Sequence, residues 1–260
     1  MKILVAGKGF IGEAVGKKLE EDHEVKYLDR SKGDYQYDVT KTFSIMEEFD
    51  VLIHTIGLAP GFATEEAYRA VHVDGTQHLI DGINADKVVY LSALGAGEVD
   101  HPFFETKKKS EEIIGSSGVK HTILRPSTVY GRGNKLLEMI RKFSVLRVFP
   151  DIKTETQPIL QEDLIDIVVE VVEGYENEIL DIAGPEQMTI GELAKKIYAE
   201  EGRSCTLIPA PEFLIELQLT GLSFMGPPLT RDNMAILRSS NTTEENDAED
   251  ILDLGKVTEQ

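Results

Sequence analysis

The chain opens on an unbroken apolar run, Ile3-Leu4-Val5-Ala6, followed at once by Gly7-Lys8-Gly9-Phe10-Ile11-Gly12. Ile11, Ala14, Val15 and Leu19 then recur at helical spacing, and Glu24-Val25-Lys26-Tyr27-Leu28 leads to Asp29. This predicts a strand, a glycine turn, a helix and a strand closed by an acid. Short apolar runs predict further strands at 51–54, 88–91, 121–124 and 179–182. Amphipathic spacing places helices at about 65–83, 103–116, 134–143, 162–174 and 189–201. Strands alternating with helices require crossover connections, so the fold class expected is α/β, a Rossmann-type doubly wound parallel sheet. From about residue 150 the pattern loosens, with Pro150, Pro158, Pro185, Pro209, Pro211, Pro227 and Pro228 punctuating short elements. The organisation expected is therefore a nucleotide-binding domain over 1–150 and a smaller C-terminal lobe over 151–260, interleaved with the sheet and shaping a substrate pocket. The apolar segment 213–225, interrupted by Glu216 and Gln218, reads as core or pocket wall, the alternative being a partner or membrane-surface helix.

Composition narrows the function classes. With 27 basic and 46 acidic residues the net charge is −19, which disfavours a nucleic-acid binder because phosphate contacts need a basic face. No long charge-free apolar stretch offers a membrane span. Cys205 is the single cysteine, so no intrachain disulfide can form and a reducing, cytoplasmic setting is expected. The strand beginning at Lys2 leaves no room for a signal peptide. The acidic run in the last twenty residues reads as a solvated surface, and no metal site is expected.

The glycine turn carries chemistry. Gly7 permits the tight turn, Gly9 lets backbone approach a pyrophosphate and Gly12 allows close helix packing. The helix N-terminus offers unpaired N–H groups and partial positive charge to phosphates. Asp29 stands where a carboxylate accepts hydrogen bonds from an adenosine ribose. It would repel a 2′-phosphate, which favours NAD, whereas Arg30 and Lys8 would welcome one and leave NADP open.

Several further motifs follow in order: Val71-His72-Val73-Asp74-Gly75-Thr76, then Val89-Tyr90-Leu91-Ser92-Ala93-Leu94-Gly95-Ala96, then Leu124-Arg125-Pro126-Ser127-Thr128-Val129-Tyr130-Gly131-Arg132-Gly133. With Gln157-Pro158-Ile159, Asp163-Leu164 and Ala183-Gly184-Pro185-Glu186, they resemble the extended and atypical short-chain dehydrogenases/reductases of the NAD-dependent epimerase/dehydratase type. Gly226-Pro227-Pro228-Leu229-Thr230-Arg231-Asp232-Asn233 is similar to the branch containing the dehydrogenase-like accessory subunit of respiratory complex I.

The resemblance implies site residues position by position. Asp38 and Val39 match the pair that holds the adenine ring, and Thr55, Ile56 and Gly57 match the turn where backbone passes close to the cofactor. His72 stands where the family usually has asparagine, and Ser92 matches the catalytic serine or threonine. The family's catalytic Tyr-x-x-x-Lys pair falls on Phe103 and Lys107. A phenol beside an ammonium can move a hydroxyl proton, but Phe103 has none to move. On a helix, residues 103, 107, 110 and 114 share a face, which turns Lys107 inward if Phe103 and Ile114 meet the sheet. Cofactor ribose hydroxyls would then be its partners. His101 is a substitute acid candidate. Arg125 and Pro126 mark a strand-end turn bordering cofactor and substrate, where Arg125 serves the ligand or a structural ion pair.

Two function classes follow. One is an NAD(P)-dependent epimerase, dehydratase or reductase acting on a nucleotide-sugar or another carbonyl or alcohol, with Lys107, Ser92, water or His101 handling the proton. The other is a non-catalytic, cofactor-bound scaffold or sensor acting through a protein partner. A homodimer is expected by analogy with relatives.

Overall fold

In the computed structural model, residues 1–131, 133–209, 235–236 and 238–257 are described. The 213–225 segment, the Gly226–Asn233 motif and Arg132 lie outside them. In chain order the first elements are β1 (Lys2–Ala6), α1 (Gly12–Leu19), β2 (Glu24–Asp29), β3 (Tyr35–Gln36), β4 (Ile45–His54) and α2 (Glu65–Tyr68). A π-helical turn (Arg69–Asp74) joins α2 to α3 (Gly75–Gly82), which runs into β5 (Ile83–Leu91), α4 (Pro102–Ser116), β6 (Lys120–Pro126) and β7 (Val129–Tyr130). The remainder comprises α5 (Lys135–Phe143), β8 (Val148–Pro150), β9 (Glu155–Thr156), β10 (Ile159–Leu160), α6 (Gln161–Glu170), β11 (Glu178–Ile182), β12 (Met188–Thr189), α7 (Ile190–Glu200), β13 (Thr206–Ile208) and α8 (Ala248–Ile251).

Seven strands form one sheet in the order β11-β6-β5-β4-β1-β2-β3, and every pairing in it is parallel. The order reverses at β1, so the chain is doubly wound and the crevice beyond the strands' carboxyl ends is the natural ligand site. Both faces are covered. Ile3, Val5, Val51, Ile53, Val89 and Leu124 pack toward α1 and α6, and Leu4, Leu28, Leu52, Val88, Tyr90 and Ile123 pack toward α3 and α4. Burial on both faces explains why the central strands read as continuous apolar runs. No described helix is long and apolar enough to cross a membrane.

Two elements differ from the sequence pattern for clear reasons. Strand β4 begins six residues before the apolar run, because the charges that interrupt it are paired at the strand's polar edge. Glu47 accepts from Lys26 Nζ at 2.7 Å and also pairs with Lys2. Helix α6 stops at Glu170 rather than continuing to 174. The buried Lys87 ammonium, projecting from β5, donates to the carbonyls of Val171, Val172 and Gly174 and draws the chain out of helical register. A cation at a helix C-terminus is the favourable end of the dipole.

Candidate functional site

The β1–α1 turn is built by three glycines with three different reasons. Gly7 takes φ +104°, and its N–H donates to Leu28 O at 2.8 Å. A Cβ at Gly12 would lie 1.9 Å from Gly7 O and 2.5 Å from Thr55 Oγ1, so this position is closed by the protein itself. A Cβ at Gly9 would meet nothing within 4 Å. Gly9 has no positive φ and, among the described residues, no neighbour that requires a glycine there. Among the described residues no side chain caps the start of α1, which leaves first-turn N–H groups for an anion. Phe10 is half-buried against the core and Ile11 is buried at the helix start. Lys8 places its Nζ 4.2 Å from the centre of the Tyr27 ring.

Asp29 ends β2 beside this turn. Its Oδ2 accepts from Lys8 N at 3.3 Å, and its Oδ1 from Ser31 N at 2.9 Å and Lys32 N at 3.1 Å. Burial pushes the carboxyl up, but these N–H donors outweigh it and hold the pKa below the usual carboxylate range. Arg30 beside it is exposed. Asp38 follows β3 and accepts from Thr40 Oγ1 at 2.8 Å and Thr40 N at 3.1 Å, which closes a small turn around it. Val39 is buried, and its carbonyl accepts from His78 Nδ1 at 2.7 Å.

The turn after β4 is fastened from both sides. Thr55 Oγ1 lies 3.0 Å from the carbonyls of Ala6 and Gly7, tying it to the glycine turn. Ile56 N donates to His54 Nδ1 at 3.3 Å, and Ile56 is half-buried against the core. Gly57 is exposed, and a Cβ there would lie 3.4 Å from Lys107 Nζ and 3.5 Å from His72 Nε2. His72 lies in the π-helical turn and is fully buried. Its Nε2 accepts from Leu58 N at 3.0 Å, which assigns the ring proton to Nδ1, donated to Thr106 Oγ1 at 2.9 Å. Burial, then the Lys107 charge, push its pKa down to about 2, so the ring is neutral.

Lys107 is 5% exposed. Its Nζ donates to Leu91 O at 2.6 Å and lies 4.7 Å from the centre of the Tyr90 ring. The chain thus supplies two partners of its own to an inward ammonium. Burial pushes its pKa down to about 7, against a smaller opposing effect of Glu111. Phe103, Ser110 and Ile114 on the same face are buried as well, while Lys109 is exposed. Phe103 sits in an aromatic cluster, 5.8 Å from Tyr68, 5.6 Å from His72 and 4.9 Å from Phe104 between ring centres. His101 is buried and caps α4, its Nδ1 accepting from Phe103 N at 3.0 Å. That bond commits one ring nitrogen to the helix, as an acceptor.

Ser92 and Arg125 converge on a residue that sequence reasoning passed over. Glu111, with its side chain 1% exposed, accepts from Ser92 Oγ at 2.6 Å, Arg125 Nε at 2.8 Å and Arg125 Nη2 at 2.7 Å. Burial pushes the Glu111 carboxyl up, but the Arg125 and Ser92 donors more than reverse it, and it stays ionised. Arg125 also reaches Asp181 at 3.9 Å. Here the guanidinium is an ion-pair partner, and the Ser92 proton is directed at a carboxylate. The available signal was Glu111 one helical turn beyond Lys107, facing the sheet from which Arg125 projects. Pro126 ends β6, and its carbonyl accepts from Leu94 N at 3.0 Å.

The arrangement can hold a ligand carrying phosphates at one end and hydroxyls near Lys107 at the other. Solved structures share this architecture. A UDP-glucose 4-epimerase from Thermotoga maritima superposes with a TM-score of 0.67, at 19% identity, covering 100% of this chain and 92% of that one. The chain thus shares its doubly wound fold with this epimerase. A human epimerase family protein solved with NADPH has a TM-score of 0.71 at 19% identity, over 93% of this chain and 91% of that one. A tyrosine-to-phenylalanine variant of UDP-glucuronic acid 4-epimerase from Bacillus cereus, solved with NAD and a fluorinated nucleotide-sugar, has a TM-score of 0.66 at 19% identity, over 93% and 98%. In sequence, the 40 kDa subunit of mitochondrial NADH-ubiquinone oxidoreductase from Neurospora crassa is 21% identical over 175 residues. That match spans 64% of this chain and 46% of the fungal protein. No protein-family profile matches the chain.

Proposed function

We propose that this chain binds a nicotinamide dinucleotide and turns it over at most slowly. The observation that supports the reading is Gly9, a bare backbone position that no described residue requires, at the start of α1, where the N-cap residue Ile11 provides no side-chain cap. The pyrophosphate would lie against Gly7–Gly12, the adenosine ribose against Asp29, the adenine beside Asp38 and Val39, and the nicotinamide ribose beside Gly57 and Lys107. Asp29, held ionised, favours NAD over NADP. When bound, the nicotinamide supplies a hydride donor or acceptor, and the chain supplies position and charge.

Proton transfer is the step that the side chains of this site serve poorly. Phe103 holds no exchangeable proton, His101 caps a helix, and Ser92 is hydrogen-bonded to Glu111. General acid–base help is worth about 10²–10⁴ in rate, so a site without its phenol is slow. The Bacillus epimerase that carries a tyrosine-to-phenylalanine change was solved with NAD. A catalytic reading on a nucleotide-sugar or another carbonyl or alcohol is favoured by Lys107, an amine near neutrality beside the exposed Gly57.

Mass spectrometry of the small molecules released from purified protein, with a titration of NADH and NADPH fluorescence, tests the binding reading. It predicts saturable binding with NADH the tighter ligand. No binding of either refutes it. Steady NADH oxidation by the unaltered protein with any nucleotide-sugar or carbonyl, lost in Lys107→Ala, refutes slow turnover and establishes the catalytic reading.

A further inference from the structure

Eight large hydrophobic side chains stand exposed among the described residues, and four of them lie together: Val145 at 68%, Leu146 at 54%, Val148 at 37% and Ile208 at 46%. They are far in sequence from every residue assigned to the dinucleotide. Ser144–Leu146 is a single 3-10 turn after α5, and Arg147 then reverses the chain at φ +55°. Strand β8 follows and pairs in parallel with β13, Thr206 opposite Val148 and Ile208 opposite Pro150. Partners in register share a face, so Val148 and Ile208 lie on one side of this ribbon, while Phe149 and Leu207 pack inward against α7.

The tip is held firmly. Ser144 is fully buried, and its Oγ accepts from Arg203 at 2.5 Å. Arg147 donates its N–H to Ser144 O at 3.1 Å and accepts from Thr206 N at 2.9 Å. Val145 and Leu146 are thus presented outward by a fixed turn. Basic residues also gather in this stretch of chain, where Arg141 is paired with Glu200 and Glu201 of the α7 end. From 135 to 153 the chain carries Lys135, Arg141, Lys142, Arg147 and Lys153 against only Glu138 and Asp151, in a protein of net charge −19. Lys142 and Arg147 flank the apolar tip, both are exposed, and neither forms an ion pair with a described residue.

We propose that the Ser144–Val148 tip is a contact for an anionic lipid surface, with Val145 and Leu146 entering the interfacial layer and Lys142 and Arg147 meeting lipid phosphates. Apolar side chains projecting from a rigid turn suit a deformable apolar layer, and flanking cations suit its anionic headgroups. The overall negative charge does not forbid this, since screening over about 8 Å at physiological salt leaves the nearest charges to decide.

Co-sedimentation with vesicles tests it, using the 260-residue chain at about 0.15 M salt. Phosphatidylcholine vesicles containing phosphatidylglycerol should retain the protein, and pure phosphatidylcholine vesicles should retain several-fold less. Val145→Ser with Leu146→Ser should lower retention about tenfold. Lys142→Gln with Arg147→Asn should reduce it to the level seen on pure phosphatidylcholine, asparagine being chosen because it tolerates positive φ. These are surface changes, so thermal unfolding and NADH binding should be unaltered. Equal retention on both vesicle types, no retention on either, or wild-type retention by the serine variant overturns the proposal. So does a concentration-dependent dimer that the serine variant abolishes without any vesicle binding, which would assign the tip to a second copy of the chain.

Discussion

Gly9 and Gly12 belong to one motif, yet their surroundings predict opposite phenotypes for the same substitution. In Gly12→Ala the new methyl would overlap the Gly7 carbonyl at 1.9 Å and the Thr55 hydroxyl at 2.5 Å. The first of these is backbone, so the helix or the turn must shift. Overpacking of this kind costs about 1–3 kcal/mol. At about 2–4 °C per kcal/mol for a chain of this size, a Tm loss of roughly 5 °C is expected. In Gly9→Ala the methyl meets no atom of a described residue within 4 Å, so stability should stay within about 0.5 kcal/mol of the parent. If a pyrophosphate lies against that backbone, the methyl occupies its place, and NADH affinity should fall at least about tenfold, or about 1.4 kcal/mol. Thermal melts and NADH fluorescence titrations on the two variants separate the effects. Wild-type NADH affinity in Gly9→Ala would refute the placement of the pyrophosphate. A Tm loss in Gly9→Ala matching that of Gly12→Ala would show that Gly9 is structural.

The Glu111–Arg125–Ser92 cluster predicts that Glu111→Gln loses about 3 kcal/mol in urea unfolding, the lower end of the range for a broken buried pair because Arg125 keeps some solvent and Asp181. A loss below about 0.5 kcal/mol would contradict the geometry. Lys107 gives a pH signature. Its folded pKa, near 7, lies below the unfolded value, so between about pH 7 and 10 the unfolded state binds more protons and stability rises with pH, by at most about 1.4 kcal/mol per unit. Relative to Lys107→Met, the native protein should therefore gain stability from pH 7 to 9. Parallel profiles would show that this amine is not desolvated.

The placement of Lys107 illustrates how far a helical period reaches. Spacing from Phe103 to Ile114 turned it inward, and the structure buries all the residues on that face. Spacing could not supply its partners, because Leu91 O and the Tyr90 ring come from another strand. Glu111 was missed for the same reason. A glutamate one turn beyond a lysine reads as a helix-surface residue until Ser92 and Arg125 are brought to it from the ends of β5 and β6.

What the sequence by itself determined is local and periodic. The glycine turn, the strand–helix alternation and the absence of a phenol at position 103 are readable because each depends on residues within one or two turns of chain. Parallel strands buried on both faces announce themselves as apolar runs, and this was enough for the doubly wound fold. Only the tertiary structure decided which polar groups meet. His72 bridges Leu58 and Thr106, Lys87 ends α6, and the proton of Ser92 points at Glu111. A hydrogen bond depends on direction and separation in space, and burial sets its strength. Neither is written in the spacing of residues that lie on different elements.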